Sequence, residues 1–406
     1  MSKRYSLLAL PLVVVCAWPH SAAGQTVDEA SLRQTLRDLI EPIAARPAGE
    51  AIGLATALEV ANAPFGSSAG GFVFKLDPAT GLRVRTAPTF GPSFAERALT
   101  AGEGKVTFGA SLSVATYDKL NTFSLNQMQL TTVGATVPQS REAGFASLVL
   151  SSETLVVSTA VGATDNLDIS VAVPFVNVKL DGLSWVENGL DQVTQRNVGK
   201  ISSSGLGDVA VRAKLRVAQF GEGPPDPGGI ALMLTTRLPT GNRENFRGLG
   251  ITRVMGSALV SFGKGRLRPH GNVGFEWWEK GLSVQSDLAG TRSVTSRHQV
   301  QYAAGIELEA GPKVTLLFDV LGRHTLGDGS ITIQPFPVAP SLVELGVTSV
   351  EAAAGSEKGI RKVSLVPGLK WNVKGSFVFS WNALVSVWDN GLRDYFTPVF
   401  GLDWTF

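Results

Sequence analysis

The sequence is short of charge, of cysteine and of long apolar runs, and each shortage excludes a class of protein. Asp, Glu, Lys and Arg make up 17% of the 406 residues, against about a quarter in ordinary domains. The 36 basic and 34 acidic residues nearly cancel, which excludes a strongly basic nucleic-acid binder. The single cysteine, Cys16, excludes a disulfide framework. Beyond the N-terminal stretch no run reaches the roughly 20 apolar residues of a transmembrane helix, so a helical membrane protein is excluded too.

Residues 1–24 are expected to be a cleaved secretory signal peptide. Lys3 and Arg4 supply the positive start, residues 6–18 are uncharged and mostly apolar, and small residues follow at 21–24. A lipoprotein alternative would carry its lipid on Cys16. Cleavage would leave equal numbers of basic and acidic residues and no cysteine. An exported chain is therefore predicted.

The dominant pattern after residue 105 is alternation of apolar and polar residues, which is typical of strands with two different faces. In the run around residue 212, for example, Val211 and Leu215 alternate with Arg212 and Lys214. Most runs have the roughly 9–11 residues that a tilted strand needs to cross a bilayer. Twelve runs show the pattern: 105–117, 148–161, 167–180, 206–218, 230–239, 252–263, 266–278, 297–310, 313–323, 361–373, 376–388 and 396–406.

The connections between these runs alternate in length. Those after odd-numbered runs are mostly long, such as 118–147 and 324–360, whereas some of those after even-numbered runs are only two residues, as at 264–265 and 374–375. Long loops at one end and tight turns at the other are typical of an outer-membrane barrel whose turns face the periplasm. The predicted fold is all-β, a transmembrane antiparallel β-barrel of twelve strands over 105–406. A soluble all-β domain is the alternative, but it does not explain the asymmetry.

The face opposite the apolar one would line the lumen. Its charges are uneven, because the basic residues lie mainly on runs four to seven and the acidic ones on later runs. One interpretation is a transverse field that selects solutes; the other is a ladder of salt bridges that fills a narrow lumen. The lumen-lining candidates are Arg212, Lys214, Arg216, Arg237, Arg253, Arg268, Glu307, Glu309 and Asp319.

Residues 25–104 precede the barrel and are expected to form a periplasmic or plug segment. Residues 28–46 are predicted to be helical and to end before Pro47, with an i,i+4 pair between Arg37 and Glu41; 48–62 permits a second helix. An even-stranded barrel starts in the periplasm, so this segment should dock at the periplasmic mouth. The apolar stripe of the plug helix consists of Leu32, Leu36, Leu39 and Ile43.

A short hairpin is predicted over 71–86, turning at 77–81. Its arms of about six residues are short for a membrane span. We interpret it as a periplasmic or lumen-inserted element. If it joined the sheet instead, the barrel would have fourteen strands.

Two motifs resemble catalytic or cofactor sites but lack the required context. Residues 66–70 match G-x-S-x-G, yet no strand precedes and no helix follows them. Residues 205–210 loosely match the dinucleotide fingerprint but open a strand. His270, His298 and His324 lie in no metal-ligand spacing. We predict no catalysis, no cofactor and no metal.

The last residues, FTPVFGLDWTF, keep one alternating apolar register up to Phe406. The final residues of a soluble protein usually fray. The ending resembles the C-terminal assembly signal of bacterial outer-membrane barrels, in which Trp404 and Phe406 would be read by the outer-membrane assembly machinery.

Three segments, GATDNLDISVAVPF (162–175), GLGDVAVRAKLRV (205–217) and LTTRLPTGN (234–242), resemble an outer-membrane barrel family labelled as a meta-pathway phenol-degradation transporter. The resemblance covers about 145–406, and the family includes the functional-amyloid exporter, a trimeric barrel. It implies a channel embedded in membrane lipid that passes small solutes, such as aromatic or apolar compounds. The alternatives are an exporter of an unfolded polypeptide, with a possible homo-oligomer, or a closed structural or adhesive barrel.

Overall fold

The computed structural model describes residues 31–406 except 45, 69–70, 77–81, 86, 122, 134–140, 189, 222–224, 264, 285–293, 328–330, 338–348 and 356–358. The expected signal peptide and Cys16 lie outside the described residues. Two helices come first, α1 (Leu32–Ile40) and α2 (Arg46–Ala61). None of the described helices is long and apolar enough to span a membrane.

Strands make up most of the remaining chain. They are β1 (Phe74–Leu76), β2 (Arg83–Arg85), β3 (Val106–Leu120), β4 (Phe123–Ser124), β5 (Met128–Val133), β6 (Arg141–Thr164), β7 (Leu167–Glu187), β8 (Val193–Leu206), β9 (Ala210–Gln219), β10 (Gly228–Arg237), β11 (Arg253–Phe262), β12 (Leu267–Trp278), β13 (Leu282–Val284), β14 (Val294–Gly311), β15 (Val314–Gly327), β16 (Ile331–Pro337), β17 (Ser349–Gly355), β18 (Arg361–Lys374), β19 (Phe377–Asp389), β20 (Leu392–Asp394) and β21 (Phe396–Thr405).

Twelve of these strands close an antiparallel barrel: β3, β6, β7, β9, β10, β11, β12, β14, β15, β18, β19 and β21. The last strand pairs with the first, with Trp404 opposite Phe108. Each of the twelve predicted runs falls on one of these strands, so the predicted barrel is confirmed. Strands β1 and β2 pair only with each other in a separate two-stranded sheet, which excludes the fourteen-stranded alternative.

The two ends of the barrel differ as predicted. At one end, which we call the turn end, short connections such as 165–166, 312–313 and 375–376 join consecutive strands. At the other, the loop end, β7 rises beyond its pairing with β9 and pairs instead with β8 from Phe175 upward. Strands β16 and β17 form a hairpin that lies across α2 and β5.

The outer face of the barrel is apolar. Val273 is 54% exposed and Leu232 is 52% exposed, whereas the inward residues of the same strands, such as His270 and Thr235, are buried. A closed barrel with an apolar outer face and a polar interior is stable in lipid rather than in water. The chain is therefore a membrane-spanning barrel of the outer-membrane type.

The helices begin and end differently from the prediction. Ser31 caps α1, because its hydroxyl oxygen accepts the N–H of Gln34 at 3.1 Å. The helix ends at Ile40 rather than running to residue 46. Pro47 lies in the first turn of α2 instead of stopping a helix, since a proline there has no hydrogen bond to lose. The predicted Arg37–Glu41 ion pair is present, at 3.6 Å.

The chain from residue 31 to 101, which we call the inner segment, runs through the barrel from the loop end to the turn end. Helix α1 packs against β7 and β8 at the loop end, and residues 90–101 bond wall residues near the turn end. The expectation that α1 docks at the periplasmic mouth is therefore wrong. The physical reason is that the loop-end wall offers an apolar, glycine-lined surface for the helix, described next.

Candidate functional site: the lumen and its inner segment

Helix α1 and the turn that follows it pack on three glycines that face the lumen from β6, β7 and β8. A Cβ on Gly144 would lie 2.6 Å from the Cβ of Ile43, and one on Gly182 would lie 2.5 Å from Leu39 Cδ1. At Gly199 it would meet Leu39 Cδ1 at 3.1 Å. All four residues of the predicted apolar stripe are at most 1% exposed. The absence of side chains on the wall is what allows the helix to come this close.

The last turn of α2 is held by two arginines of the wall. The Ala61 carbonyl accepts hydrogen bonds from Arg237 at 3.2 Å and Arg253 at 3.0 Å. Arg253 also donates to Asn62 Oδ1 at 2.9 Å. Cations stabilise the C-terminus of a helix, where carbonyl groups lack partners. Two of the lumen-lining candidates thus bond the inner segment directly.

The same two arginines are neutralised by a buried carboxylate of the wall. Glu276 lies 3.4 Å from Arg237 Nε and 3.6 Å from Arg253 Nη1, and it accepts the indole N–H of Trp278 at 2.8 Å. Asp208 lies 3.4 Å from Arg253. Because Arg253 and Glu276 are fully buried, removing one partner would strand a charge inside the protein.

Helix α2 makes a second contact through Glu59, on its last full turn, with the side of the barrel opposite β10 and β11. The Glu59 carboxylate pairs with Arg323 and, at 2.8 Å, with Lys362. Lys362 also pairs with Asp394. This helix is therefore bonded to β15 and β18 as well as to β10 and β11.

Below the helices, Glu96 is the main anchor of the inner segment. It accepts hydrogen bonds from the Ser68 backbone N–H at 2.7 Å and the Ser68 hydroxyl at 2.9 Å. It pairs with Arg212 at 3.3 Å and Lys214 at 3.6 Å. Lys214 also lies 3.7 Å from Asp168, which accepts the Ala101 N–H at 3.0 Å.

Glu307 and Asp319 come together on the acidic side of the lumen. Glu307 accepts the Gly91 N–H at 3.1 Å and pairs with Arg97 at 3.5 Å. His270 lies between the two carboxylates, 3.6 Å from Glu307 and 3.1 Å from Asp319. The carboxylates on the acidic side of the predicted lumen thus accept backbone N–H groups of the inner segment and pair with one of its arginines.

The remaining candidates lie at the turn end. Arg216 pairs with Asp226 at 2.6 Å, and Arg268 donates to the Asp226 carbonyl at 2.7 Å. Glu309 is half-buried, and its backbone N–H donates to Arg266 at 2.9 Å. These three residues contact the wall and its turns rather than α1 or α2.

Three carboxylates that organise this network lie outside all twelve predicted runs: Glu59, Glu96 and Asp226. Alternation cannot assign them to the lumen, because each belongs to the inner segment or to a connection. Asp208 and Glu276 do lie on the polar face of predicted runs, although neither is among the candidates. Strand periodicity finds charges on the wall and cannot find the partners that come from outside it.

The inner segment leaves a row of cavities along β3. A cavity of about 190 Å³, which we call the chamber, lies at mid-depth beside Phe65, Met233, Thr235 and Met255. A second of about 30 Å³ shares Ser111 with it and reaches Gly109, and a third of about 20 Å³ continues to Thr107. The inward residues of β3 are small, which is why space remains there.

The C-terminal strand ends in a stack of aromatic rings on the outer face. The rings of Trp404 and Phe377 are 5.4 Å apart, and those of Trp404 and Phe406 are 4.8 Å apart. The Phe406 N–H donates to the Val106 carbonyl at 3.0 Å. Their role as an assembly signal stays a prediction.

The described residues contain no group of three or more His, Cys, Asp or Glu side chains placed to hold a metal ion. Ser67 and Ser68, from the G-x-S-x-G match, both donate to Glu96. They belong to the network that anchors the inner segment.

The resemblance found in the sequence is confirmed by comparison with protein families. Residues 125–317 match the family described as "Putative MetA-pathway of phenol degradation". No curated protein matches the chain.

Solved outer-membrane barrels overlap the chain at low identity. The COG4313 outer membrane channel from Pseudomonas putida F1 is 10% identical, with a TM-score of 0.47, over 76% of this chain and 98% of that one. A Pseudomonas aeruginosa FadL homologue is 10% identical, with a TM-score of 0.34, over 84% and 97%. The CymD monoaromatic hydrocarbon channel is 10% identical, with a TM-score of 0.26, over 75% and 88%.

Proposed function

We propose that this protein is an outer-membrane transport channel that passes small, weakly polar compounds between the inner segment and β3. The row of three cavities carries the proposal. It follows small inward side chains of β3, whereas ion pairs occupy the lumen beside β9, β10 and β11. The description of the matched family points the same way, since phenol is a small, weakly polar aromatic compound.

Flux into lipid vesicles tests the proposal. Vesicles containing the refolded protein should admit phenol faster than empty vesicles and should exclude sucrose, which is too large for the cavities. A Ser111→Phe variant should slow phenol entry because its ring would fill the narrow part of the row. Leu112→Phe is the matched control, since Leu112 is 41% exposed on the lipid side. Equal phenol flux in both variants and the wild type would refute the route.

A closed structural barrel is the second candidate. The density of ion pairs between the inner segment and the wall favours it, since these contacts would hold the lumen shut. It predicts that phenol enters protein-containing and empty vesicles equally fast. Export of an unfolded polypeptide is less compatible with the structure, because the inner segment would have to leave the lumen first.

The proposed function also implies partners for the barrel. The lipid bilayer surrounds the apolar face, the outer-membrane assembly machinery would insert the barrel, and a homo-oligomer is an open alternative. The family and the fold are those of channels rather than enzymes.

A further inference from the structure

The chamber has the volume for a small ligand, and its lining combines apolar side chains with polar ones such as Ser113, Asn272 and Gln301. Its volume is about 190 Å³, and an apolar cavity of about 150 Å³ takes up benzene. Phe65 and Phe94 line it from the inner segment, and Met233 and Met255 line it from the wall. Methionine side chains adapt their shape and contact aromatic rings favourably. A single aromatic ring with one small substituent therefore fits.

Within the part of the chain that the structure describes, the Thr235 hydroxyl in the lining lacks a hydrogen-bond partner, as do the Nε atoms of Arg212 and Arg237, whose guanidinium groups are otherwise paired. Thr235 is 2% exposed, and its hydroxyl makes no hydrogen bond with any of the described residues. It lies directly across from Met255 in the β10–β11 register, so the hydroxyl lies beside the apolar part of the lining. A buried hydroxyl without a partner is unfavourable. A ligand that offers one hydrogen-bonding group would remove that cost.

The charges around the chamber are balanced. Four cations face it, and each is paired: Arg212 with Glu96, Arg237 with Glu276, Arg323 with Glu59, and Lys362 with Glu59 and Asp394. Glu276 lies behind the lining and also pairs with Arg253, and Glu96 also pairs with Lys214. With the further partners Asp208 and Asp168 included, six cations match six carboxylates. An anionic ligand would bring a charge that has no unpaired counterpart, and burying such a charge is costly.

We propose that the chamber binds neutral one-ring compounds that carry a single hydrogen-bonding group, and that Thr235 distinguishes them from hydrocarbons of the same size. This proposal rests on the proposed function for its biological sense, but binding can be measured without transport. Phenol is the matching probe, toluene lacks the hydrogen-bonding group, and benzoate adds a charge.

Titration of the refolded full-length mature protein in detergent, observed by ligand NMR, tests the specificity. The wild type should bind phenol more tightly than toluene, and benzoate most weakly. Thr235→Val keeps the shape of the side chain and should weaken phenol binding about three- to tenfold, the effect of one hydrogen bond, while leaving toluene unchanged. Thr325→Val, buried in the barrel but outside the chamber, is the matched control and should change neither.

A second variant tests the location. Ala115 lines the chamber, so Ala115→Leu should reduce the binding of both phenol and toluene in protein whose folding is verified by heat-modifiability. Unchanged binding in Ala115→Leu, equal effects of Thr235→Val on phenol and toluene, or benzoate binding as tight as phenol binding would overturn the proposal. Expected binding without vesicle flux would refute the proposed function alone. If the wild type passes phenol but Thr235→Val binds phenol as tightly as the wild type does, the proposed role of the chamber is refuted and the proposed function is not.

Discussion

The two halves of the inner segment are attached to the same barrel by different forces. Helix α1 buries Leu39 against a wall that glycines leave without side chains. The first half of α2 packs against α1 and adds Ile52 to the same apolar cluster. From Glu59 to Ala101 the attachment is made by ion pairs and by carboxylates that accept backbone N–H groups. The comparison teaches that close apolar packing holds the loop-end half of the inner segment in place, whereas ion pairs and charge-assisted hydrogen bonds hold the turn-end half.

Removing a buried charge should have the largest effect. Arg253→Met leaves Glu276 and Asp208 without one of their cations and the Ala61 carbonyl without a donor. Breaking a buried pair in this way costs about 3–5 kcal/mol. The measurement is the free energy of unfolding in denaturant, followed by tryptophan fluorescence. Lys200→Met is the control, because its ion pair with Asp181 is exposed and should contribute at most about 1 kcal/mol. Similar losses in both variants would contradict the charge-based attachment.

Adding volume under α1 should have an intermediate effect. In Gly144→Val the new side chain would collide with the backbone of Ile43, whose Cα would lie 2.9 Å from its Cβ. Overpacking costs about 1–3 kcal/mol, and α1 should lift from the wall. Limited proteolysis should then cut within 31–44 faster than in the wild type.

The matched control for this test is Gly256→Val. Gly256 is also a strand residue, but it is exposed, and nothing lies within 4 Å of an added Cβ. Its cleavage pattern should be that of the wild type. Slow cleavage in both variants would mean that the glycines do not determine where α1 sits.

The smallest expected effect concerns pH at the junction of the helices. Burial raises the pKa of Glu50, but the hydrogen bond and charge of Arg37 and the charge of Arg33 outweigh it and hold the pKa below its ordinary value of 4.5. A lowered pKa adds stability that is present at neutral pH and is lost as the pH falls below about 4.5. Glu50→Gln should therefore be less stable than the wild type at pH 7, by about 0.2–1 kcal/mol. The difference should shrink as the pH falls from 4.5 through the lowered pKa of Glu50. A difference that is the same at every pH would exclude the ion pair as its cause.

The wall of the barrel could be predicted from the sequence because a membrane strand shows its two faces every second residue. Alternation places Arg212, Lys214 and Arg253 inside, where Lys214 and Arg253 are buried and the Arg212 side chain is 11% exposed. Twelve strands followed from the same periodicity and from the unequal connections. The assembly role of Phe406 and the conduction role of the lumen charges stay predictions.

The path of the inner segment could not be predicted, because its contacts join residues far apart in the chain. The apolar stripe of α1 shows that the helix is buried, but not at which end of the barrel. Gly144, Gly182 and Gly199 decide that. Gly182 lies opposite Gly199, and Gly144 opposite Val186, only once β6, β7 and β8 are aligned. The role of Glu96 likewise depends on its ion pair with Arg212, which lies more than a hundred residues away in the sequence.

The central claim is that small compounds pass while the inner segment stays in the lumen, and a disulfide tests it directly. A Cβ on Gly71 would lie 3.7 Å from the Cβ of Asp403, within the range for a disulfide. Gly71 has a φ of 100°, so cysteine there is strained and folding is first checked by heat-modifiability. Phenol flux into vesicles holding the Gly71→Cys/Asp403→Cys protein is then compared before and after oxidation. The account predicts equal flux in both states. Flux that stops on oxidation and returns on reduction would show that the segment must leave, and would contradict the account.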